Sequence, residues 1–148
     1  MNLLFEENQK FTQWWLWLIL LTPLFITAFT KNIYSYEGLL LILISLFFYY
    51  LELRVKVSKN GVQYQFFPIH LNSYSIKLEE IEKIEAIKYK PLGDYGGWGI
   101  RYGFKGKCYN IKGNLGVKVY LKKGSYILFG SQKYKTLEKV LSQLLNNN

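Results

Sequence analysis

The pattern of apolar and polar residues divides the chain into two parts. Apolar residues dominate from Phe11 to Leu53, and the first uncharged run extends from Trp14 to Phe29. Counted from Phe11 to Thr30, this region has twenty residues. At about 1.5 Å per residue, a helix of that length reaches across the ~30 Å hydrocarbon core of a bilayer. The pattern therefore predicts a transmembrane helix at about residues 11–30.

A second apolar run, Leu39 to Leu51, follows after a short polar stretch. Its length alone suits either a buried core helix or a short membrane span. Its closeness to the first run favours a span, as do Tyr49 and Tyr50, which are typical of an interfacial aromatic belt. This second helix is predicted at about residues 37–53. Residues 1–53 are therefore expected to form a transmembrane helical hairpin.

The basic residues around the two runs predict an orientation. The connecting loop contains Lys31, whereas Arg54, Lys56 and Lys59 follow soon after the second run. Basic residues are enriched on the cytoplasmic side of membrane proteins. We therefore expect a protein that is integral to the cytoplasmic membrane, with both termini and the following domain in the cytoplasm.

Residues 54–148 show the period-two alternation of β-strands. The dipeptide Asn60-Gly61 stands between the first two alternating runs and suits the two positive-φ positions of a hairpin turn. Further short apolar runs, separated by glycine- and lysine-rich turns, bring the predicted total to about seven strands. The spacing then becomes helical, which predicts a C-terminal helix over residues 131–145.

Three local motifs carry a family resemblance. They are YKPLGDYGGWGIRY at 89–102, YNIKGNLGV at 109–117 and GSQK at 130–133. Together they resemble an uncharacterised bacterial family of small membrane-anchored proteins with a pleckstrin-homology-like (PH-like) domain. The resemblance implies an α+β or mainly β fold, an orthogonal β-sandwich that a C-terminal helix caps. It implies no biochemical activity and supplies no functional residues.

The glycine-rich segment around Trp98 is the most unusual local feature. Three glycines beside one tryptophan indicate special backbone angles or a close approach of another group. One interpretation is structural, a bulged start of a strand with Trp98 in the core. The other is a contact loop whose cations meet a partner carboxylate or a lipid phosphate. The predicted interaction residues are Gly96, Gly97, Trp98, Arg101, Lys88, Lys90, Lys105 and Lys122.

The charge of the second part suggests an acidic partner. Residues 54–148 contain 17 basic and 6 acidic residues, a difference of +11 in a chain with a net charge of +9. Such an excess either keeps a β surface soluble or attracts an anionic surface. We expect an interaction or scaffold module that binds a protein or associates with itself. Recognition of anionic lipid headgroups is the alternative, and nucleic acid is disfavoured because no recognition motif is apparent.

Candidate catalytic residues are few. The chain has one cysteine, Cys108, and one histidine, His70, so a nucleophile–base pair or a zinc-ligand set is hard to assemble. Four carboxylates are close in sequence, but their spacing is typical of a solvated turn. They are Glu79, Glu80, Glu82 and Glu85. An enzyme that uses Cys108 or these carboxylates is the third hypothesis, and we expect no enzymatic activity, no cofactor and no metal.

Overall fold

A computed structural model describes residues 3–30, 35–103 and 106–147. The chain forms two units. The helical unit is Lys10–Leu51, and the β unit contains residues 3–9 together with the chain from Glu52 onward. The chain therefore begins in the β unit, continues through the helical unit and then completes the β unit.

The helical unit contains α1 (Trp14–Thr30) and α2 (Tyr36–Tyr50). Ser35 caps α2, because its hydroxyl accepts a hydrogen bond from the Gly38 backbone N–H at 3.3 Å. Both helices are apolar on the faces that meet each other and on the faces turned away, so neither has the polar side that a surface helix normally presents.

The prediction of two membrane spans is wrong. Within the described part of the chain, no helix has the combination of length and apolar character that crossing a membrane requires. With 17 and 15 residues, α1 and α2 extend about 26 Å and 23 Å, less than a ~30 Å hydrocarbon core. The expected spans were too long because Phe11 precedes α1 and Glu52 already begins a strand.

Several further predictions depended on those spans and are wrong with them. The cytoplasmic-membrane localisation and the inferred orientation required two crossings, and so did the membrane as a partner. Recognition of anionic lipid headgroups by the basic residues does not require a membrane span and stays a prediction.

The first sheet of the β unit has four strands in the order β1-β2-β3-β4. They are β1 (Leu3–Lys10), β2 (Glu52–Ser58), β3 (Gly61–Phe67) and β4 (Tyr74–Lys77). The predicted hairpin joins β2 and β3, but Gly61 already pairs with Ser58, so the two turn residues are Lys59 and Asn60. Glycine is required at position 61, because φ is +134° and a Cβ would lie 2.0 Å from the Ile76 carbonyl oxygen.

The second sheet has five strands in the order β5-β8-β9-β7-β6. They are β5 (Ile81–Lys88), β6 (Gly99–Gly103), β7 (Gly106–Asn110), β8 (Leu115–Leu121) and β9 (Tyr126–Gly130). The pair β7 and β9 is parallel, and the other neighbours are antiparallel. A short helix, α3 (Pro91–Tyr95), connects β5 to β6, and α4 (Tyr134–Asn146) ends the fold.

Aromatic rings join the inner faces of the two sheets. The ring centroid of Tyr64 on β3 lies 4.9 Å from that of Tyr109 and 5.1 Å from that of Phe129. Leu137 and Leu141 of α4 are fully buried. The core of the β unit therefore combines residues from both sheets and from the C-terminal helix.

The predicted fold class is wrong. The structure has an α+β fold, in which an N-terminal strand precedes two helices, sheets of four and five strands, and a C-terminal helix. The expected PH-like sandwich had about seven strands, all after residue 53, whereas the described residues form nine. The strand β1 escaped prediction because its inward residues are Phe5, Glu7 and Gln9, a buried face with two polar members.

Candidate interaction surface at the loop end of the β unit

The three motifs, although far apart in sequence, meet at one end of the five-stranded sheet. Asn110 connects two of them. Its Oδ1 accepts the Gly99 backbone N–H at 2.9 Å, and its Nδ2–H donates to the Tyr89 hydroxyl at 3.2 Å. We call the segments 89–99, 110–115 and 130–132 the loop end.

Two further side chains hold the loop end together. The Trp98 indole N–H donates to the Gly113 carbonyl oxygen at 3.1 Å, and the Gln132 side-chain amide donates to the Lys112 carbonyl oxygen at 3.1 Å. Trp98 is half-buried. It therefore belongs neither to the fully buried core nor to a freely projecting loop.

The glycines around Trp98 have a structural explanation. Gly96 adopts φ of +70° and ends α3, while Gly97 donates its N–H to the Pro91 carbonyl oxygen at 2.8 Å. Gly97 itself has φ of +128°, and a Cβ there would lie 3.2 Å from the Arg101 guanidinium. Gly99 has φ of +112°. All three backbone conformations are ones that side chains with a Cβ rarely adopt.

Polar residues of β1 support the loop end from inside, and sequence reasoning missed them. The Glu7 carboxylate accepts hydrogen bonds from the Ser131 hydroxyl and, at 2.9 Å, from the Gln132 backbone N–H. The Gln9 side-chain amide donates to the Gly130 carbonyl oxygen at 2.7 Å. No sequence signal identifies these pairs, because the partners are more than 120 residues apart.

Three predicted interaction residues present cations at or beside the loop end. Lys88, Lys90 and Arg101 are exposed, and none forms an ion pair with another described residue. The nearby carboxylate of Asp94 accepts the Lys90 backbone N–H at 2.8 Å and so serves as a cap for α3. In the chain segment between Lys90 and Arg101, α3 presents Leu92, which is 69% exposed.

The other two predicted cations do not belong to this surface. Lys122 follows β8 at the opposite end of the sheet, because Leu115 pairs with Lys88 whereas Leu121 pairs with Ile81. Six strand residues correspond to roughly 20 Å. Lys122 instead lines a separate cavity of about 360 Å³ beside Glu79 and Lys123. Lys105 lies outside the described residues.

No protein-family model matches the chain. No curated protein matches it either. The resemblance based on the three motifs therefore stays a prediction.

Of the candidate catalytic residues, Cys108, Glu80 and Glu85 are buried or form hydrogen bonds within the fold. Cys108 is fully buried, and burial raises the pKa of its thiol to about 12, so it carries very little thiolate at neutral pH. Glu85 accepts a hydrogen bond from the Tyr120 hydroxyl at 3.0 Å, and Glu80 accepts the Lys77 backbone N–H at 3.1 Å. Within residues 3–30, 35–103 and 106–147, no group of three or more His, Cys, Asp or Glu side chains is arranged to hold a metal ion.

His70 has a defined structural role. Its Nδ1 accepts the Phe66 backbone N–H at 3.3 Å, and its ring lies 4.7 Å from that of Tyr74. Burial, and secondly the charge of Lys107, lower the pKa of His70 below its usual 6.5. The folded state therefore favours the neutral imidazole of His70.

The lowered pKa of His70 predicts a pH-dependent stability. Between the folded-state pKa and 6.5, the unfolded imidazole takes up the proton first, so the free energy of unfolding decreases as the pH falls through this window. We expect the urea midpoint to decrease between pH 7 and pH 5, and to decrease less in His70→Gln. Because His70 is the only histidine, an equal decrease in both proteins would contradict this assignment.

Proposed function

We propose that the chain is a protein-binding module whose loop end recognises an acidic segment of a partner protein. The observation that carries this proposal is an exposed leucine in the segment between two exposed cations, neither of which forms an ion pair with a described residue. Lys90 and Arg101 supply the charge, and Leu92 supplies an apolar contact. Such a surface suits a segment with carboxylates on both sides of an apolar residue.

The backbone around α3 supports this proposal, because it brings the two ends of the segment together. The hydrogen bond from Gly97 to Pro91 returns the chain to the start of α3, directly after Lys90. Arg101 is held beside Gly97, because its Nε–H donates to the Trp98 carbonyl oxygen at 3.1 Å. The segment from Lys90 to Arg101, which contains Leu92, is therefore closed by these two hydrogen bonds. A surface that is ordered before binding loses less entropy on association.

The chemistry of the cations favours a carboxylate ligand. A guanidinium can form two parallel hydrogen bonds to one carboxylate, and such charge-assisted bonds are about twice as strong as neutral ones. Arg101 uses its Nε–H within the chain, and its terminal nitrogens form no ion pair with a described residue. A peptide carboxylate can therefore bind there without displacing an internal partner.

Binding of a defined peptide tests the proposal. The probe is a fluorescein-labelled peptide in which glutamates flank a central leucine, titrated with the full chain at about 150 mM salt, where long-range attraction is screened. We expect Arg101→Ala to raise the dissociation constant about tenfold, which corresponds to ~1.4 kcal/mol. Leu92→Ser is expected to weaken binding through loss of the apolar contact.

Two controls separate a specific site from general charge attraction. Lys59→Ala removes the same charge from an exposed turn outside the loop end, and it should leave the affinity unchanged. A peptide with glutamine in place of glutamate should not bind. Equal losses in Arg101→Ala and Lys59→Ala, or no binding of the acidic peptide by the unmodified chain, would contradict the proposal.

A further inference from the structure

The helical unit exposes an unusually large apolar surface. Seventeen large apolar side chains of α1 and α2 are exposed. The most exposed, at 63–80% of their full area, are Trp14, Phe25, Phe29, Tyr36 and Leu43. Monomers in water rarely expose contiguous apolar patches larger than a few hundred Å². A partner surface is therefore required.

We propose that this partner is a second copy of the same chain, and that the helical unit is a homotypic interface. The exposed area is sufficient. With about 150 Å² for a large apolar side chain, the exposed fractions amount to on the order of 1,500 Å² per chain. A standard stable interface buries roughly 800 Å² on each partner. One copy can therefore cover about half of the surface of another, and the remainder allows assemblies larger than a dimer.

The charges of the helical unit specify the chemistry of its partner. No charged residue occurs in α1, and α2 contains one, Glu37, in its first turn. A matching partner must be apolar over a similar area and must not place charges against it, because a buried unpaired charge is very costly. The α1–α2 pair of a second copy meets both conditions except at Glu37, the one charged residue of the two helices. In a two-fold arrangement each apolar patch contacts its own equivalent.

The hydroxyl groups of the helices are also compatible with burial. Thr22, Thr27 and Thr30 donate to the carbonyl oxygens four residues earlier in α1, at 2.6–2.8 Å. Ser45 does the same in α2, donating to the Leu41 carbonyl oxygen at 2.8 Å. Packing a second copy over these helices therefore leaves none of these four hydroxyl donors without a partner.

Sedimentation velocity of the full chain in aqueous buffer tests the inference. We expect a species of at least twice the chain mass of 17.5 kDa at micromolar concentrations. The double variant Phe25→Glu/Leu43→Glu places charges in the interface and should raise the dissociation constant by at least about tenfold. The matched control is Leu71→Glu, since Leu71 is 79% exposed in the β unit, and it should not change the assembly.

Cross-linking provides a second test that introduces no charge. In a Cys108→Ala background, Leu43→Cys should form a disulfide-linked dimer under mild oxidation, whereas Leu71→Cys should not. A monomeric full chain at tens of micromolar would overturn the inference. It would also be overturned if labelled chains entered neutral phosphatidylcholine vesicles as monomers without energy transfer between copies, or if the Leu71 variants matched the helical ones. None of these outcomes depends on peptide binding at the loop end.

Discussion

Replacement of Phe129 by alanine is expected to lower the free energy of unfolding of the β unit by about 3–5 kcal/mol. Phe129 is fully buried on β9. Its ring is stacked on Tyr109 at 6.1 Å and lies 5.1 Å from Tyr64. The substitution therefore removes apolar contacts with both sheets and leaves a cavity between them. Surrounding side chains relax only partly into such cavities.

The loss of stability can be measured by following the labelling of the Cys108 thiol as the urea concentration increases. Cys108 is the only cysteine and is fully buried in the five-stranded sheet, so a thiol reagent labels it only when the β unit opens. The matched control is Phe67→Ala, because Phe67 is half-buried and its ring lies 5.6 Å from the Arg54 guanidinium carbon. We expect a clearly smaller loss there. Equal losses in the two variants would show that the ring cluster is not central to the core.

Replacement of Asn110 by alanine is expected to cost about 2–4 kcal/mol, although it removes few atoms. The change leaves the Gly99 N–H and the Tyr89 hydroxyl without their hydrogen-bond partner inside the fold. Tyr89 is almost completely buried, and this burial raises the pKa of its hydroxyl to about 12. Unsatisfied buried polar groups each cost about 1–3 kcal/mol. The same variant should also weaken peptide binding, because the loop end loses two of the hydrogen bonds between segments 89–99 and 110–115.

The control for this variant is Asn114→Ala, in which an exposed asparagine of the same loop end is truncated. We expect a change below about 0.5 kcal/mol, as is usual for surface positions. Labelling of the Cys108 thiol in urea again measures the free energy of unfolding. A loss of stability in Asn110→Ala no larger than that in Asn114→Ala would contradict the role assigned to Asn110.

The sequence identified the segments of the candidate site but not their contacts. The three motifs contain Asn110, Trp98 and Gly113, whose hydrogen bonds hold the loop end together. Sequence reasoning grouped Lys122 with Arg101, although the strand register places Lys122 at the opposite end of the sheet. It overlooked Glu7 entirely, because a carboxylate in a short N-terminal stretch does not reveal a hydrogen bond to Ser131.

Local patterns were sufficient where one face of an element is apolar and the other is polar. The alternation around residue 60 predicted the β2–β3 hairpin to within one residue, and helical spacing predicted a C-terminal helix whose observed bounds are Tyr134–Asn146. The physical reason is that side-chain periodicity is a property of the local backbone, with periods of two and 3.6 residues. Such patterns do not require knowledge of distant contacts.

Only the tertiary structure decided the remaining features. The strand β1 joins a sheet through partners that follow it by more than forty residues, and its inward face includes Glu7 and Gln9, which bond to the loop end through the Glu7 carboxylate and the Gln9 side-chain N–H. The start of α1 and the end of α2 likewise lie close to the strands β1 and β2. Hydropathy indicated that this region is apolar and helical. It did not determine the start of α1 or the end of α2, because these depend on competition with strand pairing, which is a non-local interaction.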